Sequence, residues 1–121
     1  MIIANDPHKG MGRVIDNGHC MRHVQELHGV PHSSRLRQGD GIDADTPRGT
    51  IIATFSEEGR YENSTDGASH IAVFLRRNAD GSINVIDQWQ GQPVHERVIR
   101  DKGGEGTANN DASRFHVVET A

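Results

Sequence analysis

The sequence predicts an α+β fold: one short helix near the N-terminus, packed on a small antiparallel β-sheet. Three observations point there. Only one early window, residues 18–27, carries a helical apolar period. Apolar, β-branched runs follow it at residues 50–55, 70–76, 82–89 and 115–119. Two of those runs are joined by Asn78-Ala79-Asp80-Gly81, which reads as a hairpin turn. A helix followed by a run of hairpin-connected strands is the signature of an α+β domain.

The elements follow in order. Residues 1–17 read as an irregular lead-in that touches the core through Ile2, Ile3, Val14 and Ile15. In the helix, Cys20, Val24 and Leu27 fall at i, i+4 and i+7, on one face. Asp16 and Asn17 are suitable N-caps, and Gly29 followed by Pro31 is a stop signal. Residues 32–49 are polar and read as a long loop with room for a short helix. Thr50-Ile51-Ile52-Ala53-Thr54-Phe55 reads as a buried strand. Turn signals recur at Gly59, Asn63 and Asp66-Gly67. The hairpin then runs from His70 to Arg76 and from Ser82 to Trp89. Residues 92–100 add a third strand through Val94, Val98 and Ile99, residues 101–111 form a mobile, glycine-rich loop, and residues 115–119 close the sheet. That gives four or five strands in a single domain, residues 1–121.

Composition narrows the function. Apolar residues make up 33% of the 121 and aromatics 4%, with 14 glycines, so the core is thin and loops are many. The net charge is −4 and no basic stripe stands out, which argues against a nucleic-acid partner. No window is long and apolar enough to span a membrane, and no basic segment precedes an apolar run of about 7–15 residues as in a signal peptide. The chain is therefore expected to be made in the cytoplasm. With one cysteine, no intrachain disulfide forms.

That cysteine is the first candidate for chemistry. Cys20 lies near the predicted helix start, where unpaired N–H groups and the macrodipole favour an anion. A thiolate is such an anion, and it is the nucleophile. The same N–H groups can hold the oxyanion of a tetrahedral intermediate. Cys20 also lies on the Val24/Leu27 face, so a plain core role is equally open. His70, at the start of the strongest strand, is a suitable base. With the turn centred near Ala79, Asp87 falls nearly opposite His70 and can hold its imidazole as the third member of a triad. An ordinary edge histidine and a solvated strand-end aspartate are the competing readings. Tyr61 and Trp89, the sole tyrosine and tryptophan, are candidates for a cleft wall, although core packing suits Trp89 better. Asp66 and Ser69 lie where they can shape the cleft.

These residues carry a family resemblance. Gly18-His19-Cys20-Met21-Arg22-His23-Val24 resembles the cysteine-bearing helix start of the CHAP and NlpC/P60 amidases, papain-like peptidoglycan hydrolases. Ser69-His70-Ile71-Ala72-Val73-Phe74-Leu75 resembles their histidine strand. The stretch from Asn78 to Trp89 resembles the next strand, which carries the third residue, and Gly49-Thr50-Ile51-Ile52-Ala53-Thr54-Phe55 resembles the strand before the histidine. The likeness covers residues 14–90. The compact size and glycine-rich loops also resemble small amidase effectors of type VI secretion systems. The resemblance implies a papain-like fold, catalysis by Cys20, His70 and Asp87 without a cofactor or metal, and a peptidoglycan peptide as substrate. His19, Tyr61 and Ser69 would then serve the oxyanion or the substrate. CHAP enzymes usually place a glutamine before the cysteine; here that position is His19. The effector likeness implies export to a target-cell periplasm and a cognate immunity protein that plugs the cleft.

Two other readings stand beside this one. Cys20 and His23, with His19 and His28, offer zinc-type ligand chemistry. The scaffold could also serve as a non-catalytic peptide- or partner-binding module.

Overall fold

A computed structural model describes residues 1–62 and 69–120. One helix, α1 (Cys20–His28), precedes strands β1 (Leu36–Gly41), β2 (Ile51–Thr54), β3 (Ile71–Arg77), β4 (Ile83–Asp87), β5 (His95–Ile99) and β6 (Phe115–Thr120). The strands form one antiparallel sheet in the order β1-β6-β2-β3-β4-β5. The expected α+β architecture is therefore present, with six strands.

The central strands β2, β3 and β4 are buried on both faces. On one, α1 packs against β3, and Met21 and Val24 meet Ile51, Ile71, Val73 and Ile86. On the other, Ile52, Phe74, Ile83 and Val85 meet Ile99, Ala112 and Phe115. Burial on both faces explains why β2, β3 and β4 read as continuous apolar runs rather than alternating ones. At about 25 cal/mol per Å², burying one such Ile or Val side chain contributes on the order of 2 kcal/mol.

The helix begins two residues later than its periodicity suggests. Neither Asp16 nor Asn17 is the N-cap: His19 is, with no side-chain capping bond, and Asn17 Oδ1 accepts the His19 N–H at 3.0 Å. Asp16 sits at φ 52°, so the chain turns there instead of entering the helix. The stop is as expected: Gly29 caps the helix at φ 69°, a conformation that favours glycine.

Three further expectations are corrected. The stretch 32–49 contains a 3-10 turn, Ser33–Arg35, and the whole of β1. Apart from Leu36, β1 has no buried side chain. Its pairing with β6 defines it, and a Cβ at Gly39 would lie 2.7 Å from the Val117 carbonyl oxygen. Residues 101–111 are organised rather than mobile. The Asp111 carboxylate is fully buried and accepts the backbone N–H groups of Lys102, Gly104 and Ser113 at 2.7–3.1 Å. In the lead-in, Ile15 is buried and Ile2 packs on the core, but Ile3 and Val14 are about half exposed.

The hairpin register also differs. Val73 pairs with Ile86, two positions from the register that would set residue 70 opposite 87, and a bulge lies between Phe74 and Arg76. Strand side chains alternate with a period of two, so a two-residue slip keeps every side chain on its face. His70 and Asp87 therefore still meet, along a diagonal instead of directly.

Candidate active site

Cys20 is the first residue of α1, at the end where backbone N–H groups lack intrahelical partners. It is 4% exposed, and its Sγ lies 3.6 Å from the Tyr61 hydroxyl. Burial pushes its thiol up. The neighbouring His70 imidazole, then the hydroxyl of Tyr61, outweighs that and holds the thiol below the ordinary cysteine range.

His70 immediately precedes β3. Its N–H donates to Thr54 Oγ1 and its carbonyl accepts from Thr54 N–H, both at 2.9 Å, which fixes the backbone under the ring. The ring is fully buried between Trp89 and Phe115, edge-on to each at centroid distances of 6.4 and 6.3 Å. Nε2 is 2.7 Å from Asp87 Oδ2, while Nδ1 makes no hydrogen bond among the described residues. Burial lowers the imidazole pKa; the Asp87 hydrogen bond and then Cys20 override it, raising it to about 9. Asp87 is itself 1% exposed. Burial disfavours its charge, but His70 and then Arg97 hold its carboxyl below the usual range.

Of the other sequence candidates, Ser69 is buried and acts on the Tyr61 hydroxyl. Burial, reinforced by the charge on Cys20, drives the Tyr61 pKa well above its ordinary value, so the phenol stays protonated. His19 is half-buried and directly precedes the thiol residue. Trp89 is half-buried against His70, not in the core. Asp66, with the turn signals at Asn63 and Asp66-Gly67, lies outside the described residues.

Two contacts were not anticipated from the sequence. Arg97, on β5, donates from Nε to Asp87 Oδ2 at 2.7 Å. Its Nη1 and Nη2 reach Asn110 Oδ1 and the Asn109 carbonyl at 3.0 and 2.9 Å. Gln88, fully buried, bonds back to Ile15 and His19. Arg97 lies two residues before the core residue Ile99 on the expected third strand and so shares its face, which is the signal that pointed inward. Gln88 offered only its place beside Asp87. As for metal ligands, no three His, Cys, Asp or Glu side chains converge among the described residues. His23 instead packs edge-on against His28 at 5.4 Å.

Comparison with known proteins places the chain. The family model described as "Domesticated amidase effector 2" matches residues 1–118. The chain belongs to that family. Domesticated amidase effector 2 of Ixodes scapularis is 30% identical over 125 residues, covering 96% of this chain and 83% of that protein. The solved structure of Type 6 secretion amidase effector 2 (Tae2) superposes with a TM-score of 0.82 at 26% identity, covering 98% of this chain and 94% of the other. The family match runs through α1 and all of β1–β5, so every residue of the site described above lies within the matched region.

Proposed function

We propose that this chain is a papain-like cysteine amidase of the NlpC/P60–CHAP kind that cleaves peptide amide bonds in bacterial peptidoglycan. The observation that carries the reading is that Asp87 and Cys20 both act on the one buried His70 ring. Asp87 occupies His70 Nε2 at 2.7 Å, which leaves Nδ1 for the Cys20 thiol at the start of α1. The family's name, amidase effector, supports the reaction class. Delivery by a type VI secretion system to a target periplasm, and restraint by an immunity protein, rest on the name of the structural relative and on the resemblance.

In this mechanism Asp87 holds the Nε2–H tautomer, so Nδ1 takes the thiol proton. The thiolate attacks the amide carbonyl carbon and forms a C–S bond. Backbone N–H groups at the start of α1 stabilise the oxyanion. As the C–N bond breaks, His70 Nδ1–H protonates the leaving amine. Water, deprotonated by His70, then hydrolyses the thioester and releases the carboxylic acid, which restores the thiolate–imidazolium pair. The protonated Tyr61 hydroxyl, 3.6 Å from Sγ, stabilises the thiolate between turnovers. Ser69 steadies Tyr61, and His19, directly before Cys20, serves the oxyanion or the substrate.

Digestion of purified peptidoglycan, read by mass spectrometry, tests this reading. Wild type is expected to release fragments with new amino termini, and Cys20→Ala to release none. Identical chromatograms for the two would reject the activity and favour the binding module.

A further inference from the structure

Resting on the thiol mechanism above, the geometry points to Gln88 as the positioning residue that aims the oxyanion-binding amide of Cys20. Gln88 follows Asp87 at the end of β4 and is fully buried. Its Oε1 accepts the Ile15 N–H at 2.6 Å. Its Nε2 donates to the Ile15 carbonyl at 2.9 Å and to the His19 carbonyl at 3.1 Å. Both side-chain N–H bonds are thus spent on carbonyls of the loop that enters α1.

The second of those carbonyls is the informative one. The His19 C=O and the Cys20 N–H belong to one planar, trans peptide unit, so they point in opposite directions. Whatever fixes the carbonyl fixes the N–H. Gln88 grips that carbonyl from across the fold, and the His23 N–H holds it from within the helix at 3.3 Å. His19 supplies no side-chain cap of its own. A second clamp sits just upstream: Gly91 N–H donates to the Gly18 carbonyl at 3.1 Å. A Cβ on Gly18, at φ +80°, would lie 2.4 Å from Gly91 Cα.

An oxyanion donor works because its direction is set before charge develops. A glutamine suits the task and a glutamate does not. Facing two carbonyls, a carboxylate would present only acceptors. The pair Asp87-Gln88 also exploits strand alternation. Asp87 turns to the face shared with Val85, where it meets His70, while Gln88 turns to the helix face with Ile86. One strand end thereby aligns both the base and the amide beside the nucleophile.

Two reactions of the same thiol separate positioning from simple structural support. Peptidoglycan hydrolysis passes through an oxyanion; alkylation by iodoacetamide displaces iodide at a saturated carbon and does not. Gln88→Glu and Gln88→Leu are expected to lower kcat about ten-fold or more with KM little changed. The alkylation rate and its pH profile should match wild type. Gly18→Ala, which disturbs the same loop from its other side, should give the same split and keeps the test open if a Gln88 variant fails to fold. A kcat within two-fold of wild type, or alkylation falling in step with hydrolysis, would overturn the role. Hydrolysis that persists in Cys20→Ala would instead reject the thiol mechanism itself, which separates the two failures.

Discussion

Asp87 Oδ2 serves two donors, His70 Nε2 and Arg97 Nε, each at 2.7 Å. The hydrogen bond it accepts from His70 is the largest influence raising the imidazolium, which sits at about 9 against the opposing effect of burial. The proposed reactive form, thiolate plus imidazolium, exists above the lowered thiol pKa and below that of His70. Activity should therefore follow a bell-shaped pH profile with its basic limb near 9. Asp87→Asn keeps the shape but replaces the ionised acceptor of that hydrogen bond with a weaker, neutral one. The basic limb of kcat/KM should then move to lower pH, because the imidazolium loses its main support. An unmoved limb would mean that Asp87 does not govern His70. Cys20, His70 and Asp87 were legible in the sequence as candidates, because the proposed acyl transfer needs those residue types and the element boundaries lined them up. Arg97 and Gln88 were not. Each acts through another group, Arg97 on a carboxylate and Gln88 on a backbone carbonyl, and such roles leave no pattern along the chain.

At the scale of elements, α1 combines the candidate site at its start with an unusual interior. His23 is fully buried one turn after Cys20, and neither ring nitrogen has a hydrogen-bond partner among the described residues. Burial first, and the charge of His28 second, lowers its pKa to about 4. The imidazole is neutral in the fold, whereas in the unfolded chain it takes a proton near 6.5. Stability is thus intact above about 6.5 and is lost as the pH falls towards 4, by about 3 kcal/mol in all. His23→Leu removes that proton uptake, so its melting temperature should fall less than that of wild type between pH 7 and pH 5. Equal losses in the two proteins would show that His23 is not the acid-sensitive group. Elements with strong apolar runs, β2, β3, β4 and β6, were readable in outline. β1 was not, because the backbone of β6 and close contact at Gly39 define it rather than its own side chains. The segment before β6 was misread for a similar reason: its order comes from the single buried carboxylate of Asp111.

Across the whole molecule, the sheet places the helix on one face and Phe115 with Ala112 on the other, and the candidate site lies where α1 meets the ends of β3 and β4. The two-residue register slip leaves this intact, because face depends only on parity. The same layout couples the ionisations into one pH profile. His70, raised to about 9, would by itself contribute stability that is complete below about 6.5 and lost as the pH rises through 9. Cys20 has the opposite sign: its lowered thiol pKa contributes stability that is complete above the unfolded value near 9 and lost as the pH falls. Where the folded thiol is ionised, the folded pair holds one proton, on the imidazole, and the unfolded pair also holds one, on the thiol. The two slopes then cancel. Wild type should show a melting temperature that rises from pH 4 to about 6.5, as His23 and the Cys20 thiol cease to favour unfolding, and then stays level towards pH 9. Cys20→Ser removes the compensating ionisation and retains Asp87, so its stability should decline over the same alkaline range, by up to about 1.4 kcal/mol per pH unit. A level profile in that variant would mean that Asp87 alone does not keep the imidazole protonated to higher pH, and that the raised imidazolium depends on the Cys20 thiolate beside it.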